Sequence, residues 1–273
     1  MALQFSIDNY KSATLQVKPE LVDVLEFESQ LFSTLHVLRE RDVRGVWLKL
    51  ETKFVDYVAP AVRLGFEFHS ATSKTVTLSA WLPKDEPSKL PPCPSHFIGV
   101  GCFMLNSHDQ VLVVREKSGP SAQMKNFWKL PGGLCDSQED IPTAAERELR
   151  EETGLDSKFL SISTIQEVHH TNSPAAGVSR QGTTDLYCLC VLQPVNENQQ
   201  IVACETEIAE AKWMPASELL KLPFYAAKGT VFHKMFNHAC EVARGKAQGM
   251  VVERLNLGFR NVENNLFGVF AKL

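Results

Sequence analysis

Three glutamates carry the clearest chemical signal in the 273-residue sequence. Glu148, Glu151 and Glu152 lie three and four residues apart, so on an α-helix their carboxylates project from one face and can converge on a hard divalent cation. Gly154 follows, and a glycine at this point commonly ends a helix in the left-handed conformation. Taken alone, the same residues also fit a solvated helix face with ion pairs, such as Arg147 with Glu151. The residues around them favour the first interpretation.

The glutamates belong to a longer pattern. Gly133 is followed after five residues by Glu139, and after seven more by the run Arg147-Glu148-Leu149-Arg150-Glu151-Glu152-Thr153-Gly154-Leu155. This pattern resembles the Nudix box, Gx5Ex7REUxEExGU, in which U is an aliphatic residue. The resemblance implies a pyrophosphohydrolase that splits the diphosphate of a nucleoside diphosphate linked to another group, with Mg²⁺ (or Mn²⁺) as its cofactor.

The resemblance also implies roles for residues of the box. Glu148, Glu151 and Glu152 would be metal ligands and catalytic groups, while Glu139 and Arg147 would pair and fix the loop on the helix. A cation held there would neutralise the diphosphate and acidify an attacking water. A carboxylate must then take the proton of that water. This carboxylate is either one of the box glutamates or one from another loop.

The expected proton acceptor outside the box is Glu207, with Glu205 as the alternative. The resemblance supports them, because in the family an acidic residue just before a strand with an Ala-Lys-Trp-like segment often reaches the site. The opposing interpretation is that both are ordinary exposed glutamates.

Four further residues are expected to contact the substrate. Two of them are glycines, which in the family let the backbone approach metal or phosphate, and two are cations, which commonly neutralise phosphate. They are Gly132, Gly133, Arg115 and Lys129. For the two cations, a role as plain salt-bridge partners stays open.

A proline-rich stretch divides the chain. Pro83 to Pro94 contains five prolines in twelve residues, which excludes a helix or a central strand and predicts a linker. The predicted domains are therefore residues 1–93, a Nudix domain over residues 94–250 and a C-terminal tail over residues 251–273. The tail is rich in apolar residues and is expected to dock on the body or on a partner.

Hydrophobic spacing predicts a sheet flanked by helices. In the first domain, apolar residues that include Leu25, Phe32 and Leu35 predict a helix between residues 18 and 41. In the second, the strand candidates 98–105 and 110–115 are separated by a short polar turn, which predicts a hairpin. The other elements expected after the linker are strands over 159–168, 185–192 and 207–214, and helices over 141–153 and about 225–247.

Segments outside the box extend the family resemblance over most of residues 45 to 215, among them GFEFH, FWKLPGG and EIAEAKWMP. They are similar to the Nudix branch of the antisense basic fibroblast growth factor protein and the plant ADP-ribose/NADH pyrophosphatases. This implies an α/β (α+β) fold: a Nudix α/β/α sandwich with a mixed sheet, preceded by a smaller α/β domain resembling part of an acetyltransferase fold.

The branch makes ADP-ribose and NADH the expected substrates, giving AMP plus a phosphorylated partner. Two alternatives stay open: decapping of capped or NAD-capped RNA 5′ ends, and a nucleotide-binding regulatory module without turnover. An acyltransferase would rest on the first domain alone, where the only glycine-bearing turn is Arg63-Leu64-Gly65. That is too little to hold the pyrophosphate of acetyl-CoA, so a structural, regulatory or interface role is expected for this domain.

Composition restricts the partners. The chain has 28 basic and 32 acidic residues and a net charge of −4, which argues against nucleic-acid or anionic-membrane binding through overall charge. No run of about 18 apolar residues predicts a membrane span, and no signal peptide is apparent. The seven cysteines are odd in number, without a CxxC pair, and are expected to be reduced. We expect a cytoplasmic protein, with nucleus and mitochondrion left open, that binds a small nucleotide diphosphate. A homodimer also stays open.

Overall fold

A computed structural model describes residues 2–17, 23–124, 126–169, 182–256 and 263–270. The chain divides into two compact units, Met1–Ser95 and His96–Leu273. Within the described ranges, no helix combines the length and the apolar character needed to span a membrane.

The first unit is built on a five-stranded sheet in the order β1-β2-β3-β5-β4. Strands β2 and β3 run parallel, and the other neighbours are antiparallel. A 3₁₀-helix, Thr52–Tyr57, follows β3. The elements are β1 (Gln4–Ile7), β2 (Ser12–Gln16), α1 (Val24–Glu40), β3 (Gly45–Glu51), α2 (Val58–Arg63), β4 (Glu67–Ala71) and β5 (Thr75–Trp81).

Helix α1 lies within the predicted segment, of which residues 18–22 are outside the described residues. Asp23 caps it by accepting a hydrogen bond from the Leu25 N–H at 3.1 Å, as short acidic residues do at helix starts. The buried face consists of Phe27, Leu31, Thr34, Leu35 and Leu38. Leu25 and Phe32 are 73% and 64% exposed. The helix prediction is confirmed, but the apolar spacing that included these two residues does not mark the core face.

The second unit contains a three-stranded sheet, β6-β9-β8, and a two-stranded sheet, β7-β10. Strand β9 is parallel to β6 and antiparallel to β8, so the sheet is mixed. The elements are β6 (His96–Met104), β7 (Gln110–Glu116), α3 (Gly119–Ala122), α4 (Ile141–Thr153), β8 (Ser157–His169), β9 (Thr184–Pro194), β10 (Ile208–Pro215), α5 (Ala216–Leu219), α6 (Pro223–Ala226), α7 (Val231–Ala243), β11 (Val251–Asn256) and β12 (Glu263–Gly268).

Successive side chains of a β-strand point to opposite faces of the sheet, and those of β6 enter two different hydrophobic clusters. Cys102 packs with Leu149 of α4 in one hydrophobic cluster. Its neighbour Phe103 packs with Phe236 of α7 in the other, and the two rings meet edge to face with centroids 5.2 Å apart. The sheet therefore lies between two helices, which confirms the predicted α/β/α sandwich.

The hairpin predicted for residues 98–105 and 110–115 is confirmed only at its turn, where Leu105 and Val111 form an antiparallel bridge. Strands β6 and β7 join at a tight turn, in which the Asn106 N–H donates to the Gln110 oxygen at 2.9 Å, but they enter different sheets. The glycine-bearing loop before α4 takes the place of the partner strand. On one side the Cys102 N–H donates to the Pro131 oxygen at 2.8 Å, and on the other Val114 and Lys129 exchange two backbone bonds.

The described part of the C-terminal tail is the antiparallel hairpin β11–β12. Just before it, Met250 and Ile162 exchange two backbone hydrogen bonds of 2.8 Å, which join the segment to β8. Val252 and Phe267 pack against the core under α4, and Arg254 pairs with Asp140 at 2.7 Å. The tail therefore docks on the second unit.

Candidate active site

Two glycines of the loop before α4 bring the backbone against the box glutamates. At Gly132 φ is +144°, and a Cβ atom there would lie 2.1 Å from the Val100 oxygen. The Gly132 N–H donates to Glu152 Oε2 at 3.1 Å. At Gly133 a Cβ atom would lie 2.5 Å from Glu148 Oε2. Only glycine fits at position 132, where the clash is with backbone, whereas at position 133 the side chain of Glu148 would have to move, so the loop and the helix face meet closely.

Helix α4 begins and ends where the sequence predicts, at Ile141 and Thr153. Gly154 adopts a φ of +71° and donates its N–H to the Arg150 oxygen at 2.8 Å, which closes the last turn. One face packs Ala144, Ala145 and Leu149 into the core. Glu148 and Glu152 lie on the part of the helix that faces the glycine loop.

Arg147 connects the loop to the helix. Its Nε and Nη2 donate to the two oxygens of Glu139 at 2.8 and 2.7 Å, and Nη2 also donates to the Leu134 carbonyl at 3.1 Å. Its Nη1 donates to Glu148 at 2.8 Å and to Glu151 at 3.1 Å. The bonds from Arg147 lower the pKa of Glu139 to about 2, because they favour the ionised carboxylate.

Glu152 is the most enclosed of the three glutamates, at 6% exposure. Burial raises its pKa to about 7, although Lys129 and the Gly132 N–H oppose the shift. Lys129 Nζ lies 4.0 Å from Glu152 Oε1 and contacts Glu116 more closely. Burial likewise raises the pKa of Glu148. Carboxylates that lose water and face one another favour a bound cation.

The donor set fits a divalent cation, because three carboxylates are hard oxygen ligands of the kind that Mg²⁺ and Mn²⁺ prefer. The side chains do not converge on one point: among the described residues, no three histidine, cysteine or carboxylate side chains are placed to hold one metal ion. Arg147 draws Glu148 and the 59% exposed Glu151 to itself, while Glu152 faces the glycine loop.

The loop that carries Glu205 and Glu207 is joined to the end of the box helix. The Cys204 N–H donates to the backbone carbonyl of Glu152 at 3.0 Å. The Lys117 N–H donates to the backbone carbonyl of Glu207 at 2.8 Å. Both glutamate side chains are exposed. The structure therefore brings the backbone of this loop beside the box.

The two cations proposed for substrate binding differ in their surroundings. Lys129 lies between Glu116 and Glu152 and borders the glycine loop. Arg115 lies on β7 and pairs with Glu210 of β10 at 3.2 Å, and its guanidinium lies 5.7 Å from the centre of the Trp128 ring. Of the two, Lys129 is the one joined to a box glutamate.

Sequence reasoning missed two partners of these residues. Glu116 accepts hydrogen bonds from Lys129 and from the Ser121 hydroxyl, and the carbonyl of Leu134 accepts from Arg147. Glu116 and Lys129 come together because the loop pairs with β7, and no periodicity in the sequence shows that. A backbone carbonyl leaves no sequence signal at all.

Two family models match the chain: the NUDIX domain over residues 95–235 and the Nudix hydrolase domain over residues 3–82. The chain belongs to the Nudix hydrolase family. Nudix hydrolase 5 of Arabidopsis thaliana is 33% identical over 234 residues, which is 85% of this chain and 74% of that protein. The second match lies in the first unit, so both units match models of Nudix hydrolases.

Two other relatives are longer than this Nudix chain. Nudix hydrolase 8 of Arabidopsis thaliana is 36% identical over 221 residues, covering 81% of this chain but 55% of that protein. Nucleoside diphosphate-linked moiety X motif 6 of Homo sapiens is 37% identical over 201 residues, covering 73% of this chain and 60% of that protein. The chain thus matches little more than half the length of these two relatives.

Proposed function

We propose that the chain hydrolyses the diphosphate of a nucleoside diphosphate linked to another group, with ADP-ribose and NADH as its substrates. One observation carries the proposal: the glycine loop and the box helix meet so closely that the Gly132 N–H bonds Glu152 while Gly133 lies against Glu148. The buried carboxylate of Glu152 and the half-buried carboxylate of Glu148 beside this loop suit a divalent cation, which would neutralise the phosphates of the substrate.

In the proposed reaction, water adds to one phosphorus and the bond from that phosphorus to the bridging oxygen breaks. ADP-ribose and water give AMP and ribose 5-phosphate, and NADH and water give AMP and reduced nicotinamide mononucleotide. A divalent cation held by Glu148, Glu151 and Glu152 would neutralise the diphosphate and acidify the water. The carboxylate of Glu207, or of a box glutamate, takes the proton.

The residues of the chain contribute position and charge. Arg147 holds the loop and the helix together through Glu139 and Leu134, which keeps the carboxylates in a fixed relation to the glycines. Lys129 places a positive charge next to Glu152, where it can attract the substrate's phosphates. We assign these functions to residues 94–250, with residues 1–93 as a separate domain and residues 251–273 as a tail.

Product analysis tests the proposal. Wild type and Glu151→Gln are incubated in H₂¹⁸O with Mg²⁺ or Mn²⁺ and with ADP-ribose, NADH, coenzyme A or capped RNA, and the products are identified by mass spectrometry. We expect AMP and the partner phosphate from ADP-ribose and NADH, with ¹⁸O in one product, and loss of both in the variant. Release from RNA ends alone would replace the proposal with decapping. Binding without release from any compound would replace it with a regulatory module.

A further inference from the structure

A cavity of about 300 Å³ opens beside the glycine loop of the second unit, and Lys129 and Gly132 form part of its wall. Most of the remaining wall is aromatic and comes from β9, α6 and α7. Phe224 is the centre of this group, with ring centroids 4.8 Å from Phe127 and 4.2 Å from Phe232. The cavity therefore adjoins the box and offers flat apolar faces, which suit a ring rather than a sugar.

Polar groups around the cavity are mostly occupied by the fold. The Trp128 carbonyl accepts the Tyr225 hydroxyl at 3.0 Å, the Gly132 N–H is bonded to Glu152, and Lys129 is paired with Glu116. A ligand with many hydrogen-bonding atoms would leave several of them unpaired there. Each unpaired group lowers affinity, and this is how such sites reject polar analogues.

One hydroxyl in the wall is available. Tyr187 lines the cavity, and within the ranges that the structure describes, no residue is hydrogen-bonded to its Oη. Gly101 makes room for it: a Cβ atom at that glycine would lie 1.8 Å from the Tyr187 Oη. Burial raises the pKa of Tyr187 well above its ordinary value, so the hydroxyl keeps its proton and can donate it.

We propose that this cavity binds the reduced pyridine ring of the substrate, stacked against Phe224 and Phe232, with the Tyr187 hydroxyl donating to the carboxamide. The inference rests on the proposed function, because the diphosphate is then at Gly132 and Glu152. A dihydropyridine ring with a single amide matches one hydroxyl between aromatic faces. The adenine edge carries more polar atoms than the cavity can pair, and a ribose has no flat face. The chain therefore prefers NADH to ADP-ribose.

The test measures binding apart from turnover. In a Glu151→Gln background, dissociation constants for NADH and ADP-ribose are measured by calorimetry with Mg²⁺ present. The variants are Tyr187→Phe, which keeps the ring, and Phe232→Leu, at a position that is 41% exposed. Phe97→Leu is the matched control, because Phe97 is 39% exposed and does not line the cavity.

We expect NADH to bind more tightly than ADP-ribose. Tyr187→Phe and Phe232→Leu should each weaken the binding of NADH relative to that of ADP-ribose about three- to tenfold. This is the effect of one hydrogen bond or one aromatic pair. Phe97→Leu should leave the ratio unchanged. An unchanged ratio in both cavity variants, or equal weakening of both ligands, would refute the assignment of the ring.

Failure of this inference can be told apart from failure of the proposed function. If the wild type hydrolyses ADP-ribose and NADH but the affinity ratio does not respond to the cavity variants, the cavity assignment is wrong and the hydrolase stands. If NADH binds with the expected dependence on Tyr187 and no compound is hydrolysed, the cavity assignment stands and the hydrolase is wrong.

Discussion

The pair formed by Glu139 and Arg147 should be the main support for the loop on the box helix, and Glu139→Gln tests this. The guanidinium makes two parallel hydrogen bonds to the carboxylate, at 2.8 and 2.7 Å. The side chain of Arg147 is only 21% exposed and that of Glu139 only 12%. Glutamine keeps the shape and one acceptor oxygen, but it removes the charge and places an NH₂ group against Arg147.

The expected loss of stability follows from the pKa of Glu139, which falls from 4.5 to about 2 in the folded protein. At about 1.36 kcal/mol per pKa unit this corresponds to roughly 3 kcal/mol. Solvent reaches part of the pair and screens it, so we reduce the figure to about 2 kcal/mol. A hydrogen bond to a charged group contributes about 1.5–3 kcal/mol, which agrees.

The pH dependence of this effect has a definite sign. The pKa of Glu139 is lower in the folded state than in the unfolded state. Its contribution to the free energy of unfolding is therefore complete above the unfolded-state pKa and is lost as the pH falls toward about 2. The glutamine of the variant does not titrate. The difference in the free energy of unfolding between wild type and Glu139→Gln should therefore be constant from about pH 7 to pH 5 and shrink below about pH 4.

The assay is hydrogen exchange of the whole 273-residue chain in a urea series, with peptides from α4 reporting on the second unit. The control is Asp109→Asn, which breaks another two-bond pair, with Arg244 at 2.9 and 2.9 Å. That pair is 34% and 56% exposed, so its loss should lower stability by less than about 1 kcal/mol. Equal effects of the two variants at pH 7, or a Glu139 effect that does not change with pH, would refute the reasoning.

Three glycine variants give further predictions. Gly132→Ala should lower the free energy of unfolding of the second unit by about 2 kcal/mol or more, because φ is +144° and the new Cβ would lie 2.1 Å from the Val100 oxygen; urea denaturation measures this, and a loss below about 0.5 kcal/mol would contradict it. Gly154→Ala should lower stability by about 1 kcal/mol, since φ is +71°; no change in thermal unfolding would show that the helix end is not constrained. Gly133→Ala should displace the Glu148 carboxylate, because the new Cβ would lie 2.5 Å from it. We expect kcat to fall about tenfold to 100-fold while thermal unfolding changes little, and a normal kcat would exclude a role for that contact.

The sequence predicted the box helix closely because several local signals agree there. The glutamates of the box lie three and four residues apart, and Gly154 ends the helix with a positive φ. The contact between Glu139 and Arg147 was also expected from the family resemblance, and the structure shows it at 2.7 Å. In both cases the information lies within about 15 residues of chain.

Other features depend on residues that are distant in the sequence. The strand alternation of β6 and β7 was recognised, but it could not show that Pro131 and Gly133 would bond to β6 in place of β7. The aromatic wall of the cavity combines Phe127 of a loop, Tyr187 of β9 and Phe224 of α6. In α1 the apolar residues Leu25 and Phe32 are exposed, since the helical spacing fits more than one face and only packing selects the buried one.

The most direct test of the proposed hydrolase is a comparison of kcat/KM for AMP release by wild type, Glu151→Gln and Glu146→Gln with Mg²⁺. Glu151 is exposed and bonded only to Arg147 among its described contacts, so its substitution leaves the fold intact. Glu146 lies on the same helix but accepts the Phe159 N–H at 2.8 Å, a bond that glutamine can also make. We predict a loss of about 100-fold or more for Glu151→Gln and less than threefold for Glu146→Gln. Equal activity of wild type and Glu151→Gln would contradict the proposal that the box carboxylates carry out the reaction.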